Sequence, residues 1–70
     1  MMDELKAFMA RHLLTQEDIA KAIDKTPQFV SLMLRGESKA SLETASRLLA
    51  FCKSKEPGMT FERLFGEGAA

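Results

Sequence analysis

The segment LTQEDIAKAIDKTPQFVSLMLRG, residues 14–36, contains two short helical patterns joined by about three residues. Thr15 and Thr26 stand directly before the two patterns, and threonine is a favourable cap for a helix N-terminus. Pro27 falls at the first position of the second helix, where its missing N–H leaves no bond unmade. Apolar residues recur at helical spacing on the inward sides: Ile19, Ala20, Ile23, Val30, Met33 and Leu34. The pattern predicts two helices that cross steeply over a tight turn, a helix-turn-helix, with the small Ala20 where the backbones approach.

Further helical patterns lie on both sides of this pair. The first covers roughly residues 3–12, the fourth begins at Ser41, and a short fifth follows Thr60. On the fourth helix, the residues predicted to share the inward face are Leu42, Ala45, Leu49 and Cys52, with Leu48 beside them. The whole pattern predicts an all-α fold, a compact domain of five helices.

The composition agrees with one small helical domain. Leu, Ala, Glu, Lys and Met dominate the 70 residues, and Val occurs once, which favours helix over strand. We expect a single domain at residues 2–66 and a flexible C-terminal tail at residues 67–70. No apolar run approaches the ~20 residues that a membrane span needs, and the single Cys52 permits no intramolecular disulfide. We therefore expect a cytoplasmic protein without membrane contact.

Residue patterns typical of catalysis or ligand binding are missing from the sequence. It contains no nucleophile–base arrangement, no phosphate-binding loop and no paired carboxylates of the kind that catalysis uses. His12 has no second ligand at metal-binding spacing. We expect no enzyme activity, no metal, no cofactor and no small-molecule ligand.

Several of these segments together resemble the Cro/lambda-repressor family of helix-turn-helix regulators, also called the XRE family. The resemblance lies in LTQEDIAKAI, in Val30, in Arg35 and Gly36, and in the later segments SLETASRLLAF and TFERLF. It covers about residues 5–65, in the order and spacing of the family. The resemblance implies a lambda-repressor-like domain that binds double-stranded DNA.

The resemblance also implies which residues contact DNA. The third helix would lie in the major groove, and its candidates for base readout are Thr26, Gln28, Ser31 and Leu32. Gln28 can pair bidentately with adenine, and Leu32 can touch a thymine methyl group. The candidates for phosphate contact are Thr15 and Gln16 at the second helix, and Arg35, Ser38 and Lys39 after the third.

Four residues depart from the family pattern. Asp24 and Leu13 stand where glycine is frequent, and Asp tolerates the positive φ that such positions require better than most residues. Met9 stands where the family often has a basic residue, so one phosphate contact of the family is missing. Pro27 replaces a polar side chain that reads bases in several members, which transfers readout to the residues that follow it.

The charges of the chain sum to zero, with ten basic and ten acidic residues, so their positions matter more than their total. Basic residues on or near the presumed DNA face are Lys21, Lys25, Arg35 and Lys39, and the acids among them are Glu17, Asp18 and Asp24. The acids expected away from that face are Glu43, Glu56, Glu62 and Glu67. We expect few phosphate contacts and a shallow dependence of affinity on salt.

The sequence supports a small transcriptional regulator and leaves alternatives open. A homodimer on a palindromic operator would place its recognition helices about 34 Å apart. Such a regulator could be a Cro-like repressor or an antitoxin-type regulator with a toxin partner. Phe61 and Phe65 either form the dimer surface or close the core of the monomer. The alternative from another class is a protein–protein adaptor, favoured by the zero net charge, by Pro27 and by the apolar Phe29 and Leu32.

Overall fold

The computed structural model describes residues 2–66, and every regular element within that range is an α-helix. The helices are α1 (Asp3–Arg11), α2 (Gln16–Ile23), α3 (Pro27–Leu34), α4 (Leu42–Lys55) and α5 (Phe61–Phe65). The predicted all-α fold of five helices is confirmed. The tail expected at residues 67–70 lies outside the described residues. Within residues 2–66 no helix is both long and apolar enough to cross a membrane.

Four helices begin at the hydroxyl residues that the sequence pattern predicts as caps. The side chains of Thr15, Thr26, Ser41 and Thr60 each accept a hydrogen bond from the backbone N–H three residues later. At α2 the bond is reciprocal, because the Asp18 carboxylate accepts from the backbone N–H of Thr15 at 2.9 Å. This bond is the largest cause of the lowered pKa of Asp18. Caps of this kind each stabilise a helix by about 1 kcal/mol.

Helices α1, α2 and α3 end in the same motif, which needs one residue with left-handed backbone. These residues are Leu13 at φ 56°, Asp24 at φ 60° and Gly36 at φ 80°. In each case the N–H of this residue and the N–H of the next bond to carbonyls of the last helical turn, as in a Schellman motif. Glycine adopts this backbone without strain, as at Gly36, and the predicted tolerance of Asp24 for positive φ is confirmed. Leu13 has the same left-handed backbone, but it is 89% exposed, so packing of its side chain does not compensate for the backbone strain.

We predict that Leu13→Gly raises the free energy of unfolding by about 0.5–1 kcal/mol. Left-handed backbone disfavours a residue with a Cβ by about 1–2 kcal/mol, and the greater freedom of glycine in the unfolded chain offsets about 0.4–1 kcal/mol of that gain. Urea denaturation followed by circular dichroism measures the difference. The control is Ala10→Gly, at an exposed position inside α1, which should lose about 1 kcal/mol. Equal losses in both variants would contradict the strain at Leu13.

The core receives side chains from all five helices. The largest fully buried side chains are Leu5, Phe8, Ile19, Ile23, Val30, Leu48, Cys52, Met59 and Leu64. Burial raises the pKa of the Cys52 thiol to about 11, with desolvation as the largest cause, so this cysteine behaves as a small apolar residue. Ala20 is also buried, at 2% exposure, in the helix that packs against both α3 and α4.

The predicted inward position of Leu42 is wrong. Its side chain is 78% exposed, whereas that of Leu48 is completely buried. The buried face of α4 consists of Thr44, Ala45, Leu48 and Cys52. At 3.6 residues per turn, Leu42 lies roughly 100° from the centre of that face, and it follows the Ser41 cap directly.

A network of ion pairs joins α1 to the C-terminal end of α4 and to α5. The guanidinium of Arg11 donates to both carboxylate oxygens of Glu56, at 2.9 and 3.0 Å, and His12 Nε2 lies 2.6 Å from Glu56 Oε2. Glu4 accepts from Arg11 at 3.2 Å and from Arg63 at 2.9 Å. The hydrogen bond from Arg11 is the largest cause of the lowered pKa of Glu56, followed by the bond with His12.

We predict that Glu56→Gln destabilises the fold at pH 7 and that its difference from the wild type shrinks in acid. A carboxyl whose pKa is lower in the folded chain stabilises the fold above its unfolded pKa, here about 4.5, and loses that effect as the pH falls through the folded pKa. Urea denaturation at pH 7, 5, 4 and 3 measures this. The control is Glu62→Gln, which removes one charge outside the network. A Glu56→Gln difference that is constant from pH 7 to 3 would contradict the role of this carboxylate.

Candidate nucleic-acid interface

Helix α3 is held with one edge in the core and the other at the surface. Its inward residues Val30, Met33 and Leu34 are 0%, 2% and 5% exposed. On the outer side Gln28 is exposed, and Ser31 and Leu32 are half-buried. Since residues three and four apart share a helix face, these side chains form one mixed polar and apolar edge. We call the edge formed by Gln28, Ser31 and Leu32 the α3 edge.

Two of the predicted contact residues also serve as helix caps. Thr26 Oγ1 accepts from the Phe29 N–H at 3.1 Å, and Thr15 Oγ1 accepts from the Asp18 N–H at 3.1 Å. Both residues are exposed. A hydroxyl that accepts one bond keeps its own proton to donate, so a cap at this surface can also donate to a phosphate or a base.

The predicted phosphate-contact residues lie on two segments that flank α3 in sequence. Gln16 opens α2, and Arg35 and Lys39 follow α3; all three are exposed, whereas Ser38 is half-buried. The first intrahelical bond of α2 runs from the Ile19 N–H to the Thr15 carbonyl, so the backbone N–H groups of Gln16 and Glu17 precede it. Such N–H groups are suited to an anion. Helix α3 offers fewer, because Pro27 has no N–H.

The turn between α2 and α3 borders a polar cavity of about 130 Å³. Its lining includes Asp24 and Lys25 from the turn, and Glu43 and Arg47 from α4. Arg47 lies 2.9 Å from the Glu43 carboxylate and 3.8 Å from that of Asp24. The N-terminal turn of α4 therefore packs beside the turn between α2 and α3 and brings Glu43 near Asp24, and the expectation that Glu43 lies away from the DNA face stays a prediction.

One acidic residue of the candidate interface was not identified from the sequence. Glu37, in the loop after α3, lies 3.4 Å from Arg35 Nε. The only signal for it is its position two residues after a predicted phosphate contact. Lys25, by contrast, has its ammonium 5.8 Å from the centroid of the Phe29 ring, within the range of a cation–π contact.

The apolar residues that favour an adaptor are partly covered. Phe29 packs against the core, and Leu32 is half-buried, so the two do not form a fully exposed patch. On α5 the rings of Phe61 and Phe65 lie 4.8 Å apart. Both are half-buried, and Phe65 packs against the core.

A tight turn that joins two capped helices, the second of which presents the α3 edge to solvent, defines a helix-turn-helix domain. Comparison with protein-family models matches residues 5–58, more than half of the chain, to the family described as Helix-turn-helix. The chain belongs to this family, the Cro/lambda-repressor-like or XRE class of DNA-binding regulators. The class is typically without enzyme activity. Comparison with curated proteins gave no match, and comparison with solved structures gave none either.

Proposed function

We propose that this protein is a sequence-specific transcriptional regulator that reads its operator with α3 in the major groove. The observation that carries the proposal is the α3 edge, in which Gln28 is exposed and Ser31 and Leu32 are partly exposed, on a helix whose opposite edge is almost completely buried. A B-DNA major groove accommodates one α-helix. The buried edge fixes the position of α3 in the domain, and a recognition helix needs a fixed position because base contacts require precise geometry.

Each residue of the α3 edge has a role in this proposal. The Gln28 amide pairs with N6 and N7 of an adenine, Leu32 packs against a thymine methyl group, and the Ser31 hydroxyl adds a hydrogen bond to either base. Thr26 contributes its remaining hydroxyl proton at the start of the helix. These contacts select the sequence.

Phosphate contacts hold the domain in register on either side of the groove. The amide side chain of Gln16 and the hydroxyl of Thr15, together with the first backbone N–H groups of α2, receive one phosphate. Arg35, Ser38 and Lys39 receive another on the far side of α3. Because these groups are few, we expect the log–log slope of affinity against salt to stay well below that of strongly basic DNA-binding proteins.

The regulator acts as a homodimer on a palindromic operator, and it represses by occupying the promoter. Phe61 and Phe65 on α5 supply the dimer surface, since both residues remain partly exposed. Twofold symmetry places the two recognition helices about 34 Å apart, one turn of DNA. An antitoxin-type regulator that also binds a toxin partner would use DNA in the same way.

Selection of bound oligonucleotides from a random double-stranded pool tests the proposal. The expected product is a sequence with two inverted half-sites, centred about one helical turn apart. Gel shifts of that sequence and of random DNA over a salt series then measure specificity. An adaptor that has lost DNA binding would show no salt-sensitive binding at micromolar protein, and a selected site without twofold symmetry would contradict the homodimer.

A further inference from the structure

The arginines and the lysines near the α3 edge differ in their surroundings. Within residues 2–66, the ion pairs involve arginines and His12 but no lysine. Arg35, the arginine that directly follows α3, is paired with Glu37 at 3.4 Å. Lys21, Lys25 and Lys39 are exposed. A phosphate that approaches Arg35 therefore meets a cation that already has a carboxylate partner.

The backbone fixes Glu37 beside this arginine. Gly36, at φ 80°, turns the chain back over the end of α3. The Glu37 N–H then donates to the Leu32 carbonyl at 2.8 Å, and the Ser38 N–H donates to the same carbonyl at 3.3 Å. The backbone of Glu37 is thus attached to the last turn of α3, which keeps its carboxylate within reach of Arg35.

The side chains of Arg35 and Glu37 are 57% and 59% exposed, so the pair contributes little to folding stability. The pair instead affects how strongly Arg35 attracts a negatively charged ligand. A carboxylate at this distance offsets part of the attraction of the guanidinium for a third, negative charge, and it also repels a phosphate directly.

We propose that Glu37 competes with the DNA phosphate for Arg35 and so sets the affinity and the salt response of this domain. DNA binding breaks the Arg35–Glu37 pair and transfers the guanidinium from the carboxylate to a phosphate. This inference rests on the proposed function, since it assigns a role within the same DNA interface. Non-specific binding depends almost entirely on phosphate neutralisation, so the same competition lowers the affinity for non-specific DNA as well.

The test is Glu37→Gln, which keeps the size of the side chain and removes its charge. Gel shifts with the selected operator and with random DNA, from 50 to 300 mM salt, should show about two- to tenfold tighter binding to both. The log–log salt slope should steepen by up to about one unit. The matched control is Glu62→Gln on α5, a helix that packs on α1. It makes the same change in net charge and should alter affinity by less than about twofold. Both variants are also compared on a duplex with a single half-site, where the dimer surface proposed on α5 does not contribute.

A double-mutant cycle tests whether the effect of Glu37→Gln on DNA affinity depends on Arg35. Arg35→Ala should weaken binding to all sequences and flatten the salt slope by about one unit. In that background, the gain from Glu37→Gln should fall to less than half of its value in the wild type. An equal gain with and without Arg35 would overturn the competition, as would a Glu37→Gln effect no larger than that of Glu62→Gln.

A wild-type chain that binds no DNA would overturn the proposed function together with this inference. Normal operator binding that does not change in Glu37→Gln would overturn this inference alone.

Discussion

Leu48→Ala is expected to lower the free energy of unfolding by about 2–5 kcal/mol. Leu48 lies on the inward face of α4 with no exposed surface, so the truncation removes buried methyl groups and leaves a cavity. Domains of this size have a total stability of roughly 4–10 kcal/mol. The variant should therefore be largely unfolded at temperatures where the wild type is folded. Urea denaturation followed by circular dichroism at 222 nm measures the loss.

The control is the same substitution six residues earlier on the same helix. Leu42 is 78% exposed, so Leu42→Ala should change stability by no more than about 0.5 kcal/mol. The two substitutions distinguish the observed orientation of α4 from the predicted one, because the predicted orientation would bury Leu42. Comparable losses in both variants would show that the orientation of α4 described above is wrong.

The helix boundaries were predictable because their causes are local. A hydroxyl cap bonds to a backbone N–H only three residues away, so Thr15, Thr26, Ser41 and Thr60 could be recognised from the sequence alone. The left-handed stop at Gly36 is equally local. The orientation of α4 was harder to predict, since Leu42, Leu48 and Leu49 are equally apolar. Which of them is buried depends on how α4 packs against α2, and the sequence of α4 alone does not determine that contact.

The ion pairs could not be predicted, because most of them join residues that are distant in sequence. Arg11 and Glu56 are 45 residues apart, and Glu4 and Arg63 are 59 apart. Charge counts and helix periodicity contain no information about such partners. Glu37 is close to Arg35 in sequence, but their contact depends on the backbone turn at Gly36. The outer positions of α3 were predictable as a face, yet the half-burial of Phe29 depends on neighbouring helices.

Gln28→Ala is expected to weaken binding to the preferred operator by about 1–3 kcal/mol, or about 5- to 150-fold. Gln28 is exposed at the start of α3, and in the proposed complex its amide pairs with N6 and N7 of one adenine. Its loss should relax the preference at that single base position and leave the rest of the selected sequence unchanged. The exposed side chain contributes little to folding, so the stability of the variant should remain within about 0.5 kcal/mol of the wild type.

The control is Gln16→Ala, the same substitution at the start of α2. Gln16 is proposed to contact a phosphate, which has the same chemistry in every sequence, so its loss should weaken binding to all operators about equally. Selection from the random pool with each variant, followed by competition against operators changed at single positions, distinguishes the two effects. If Gln28→Ala kept the full sequence preference, α3 would not read bases through Gln28, and any readout would fall to Ser31 and Leu32. If Gln16→Ala altered the preference, Gln16 would contact a base and its proposed phosphate role would be wrong.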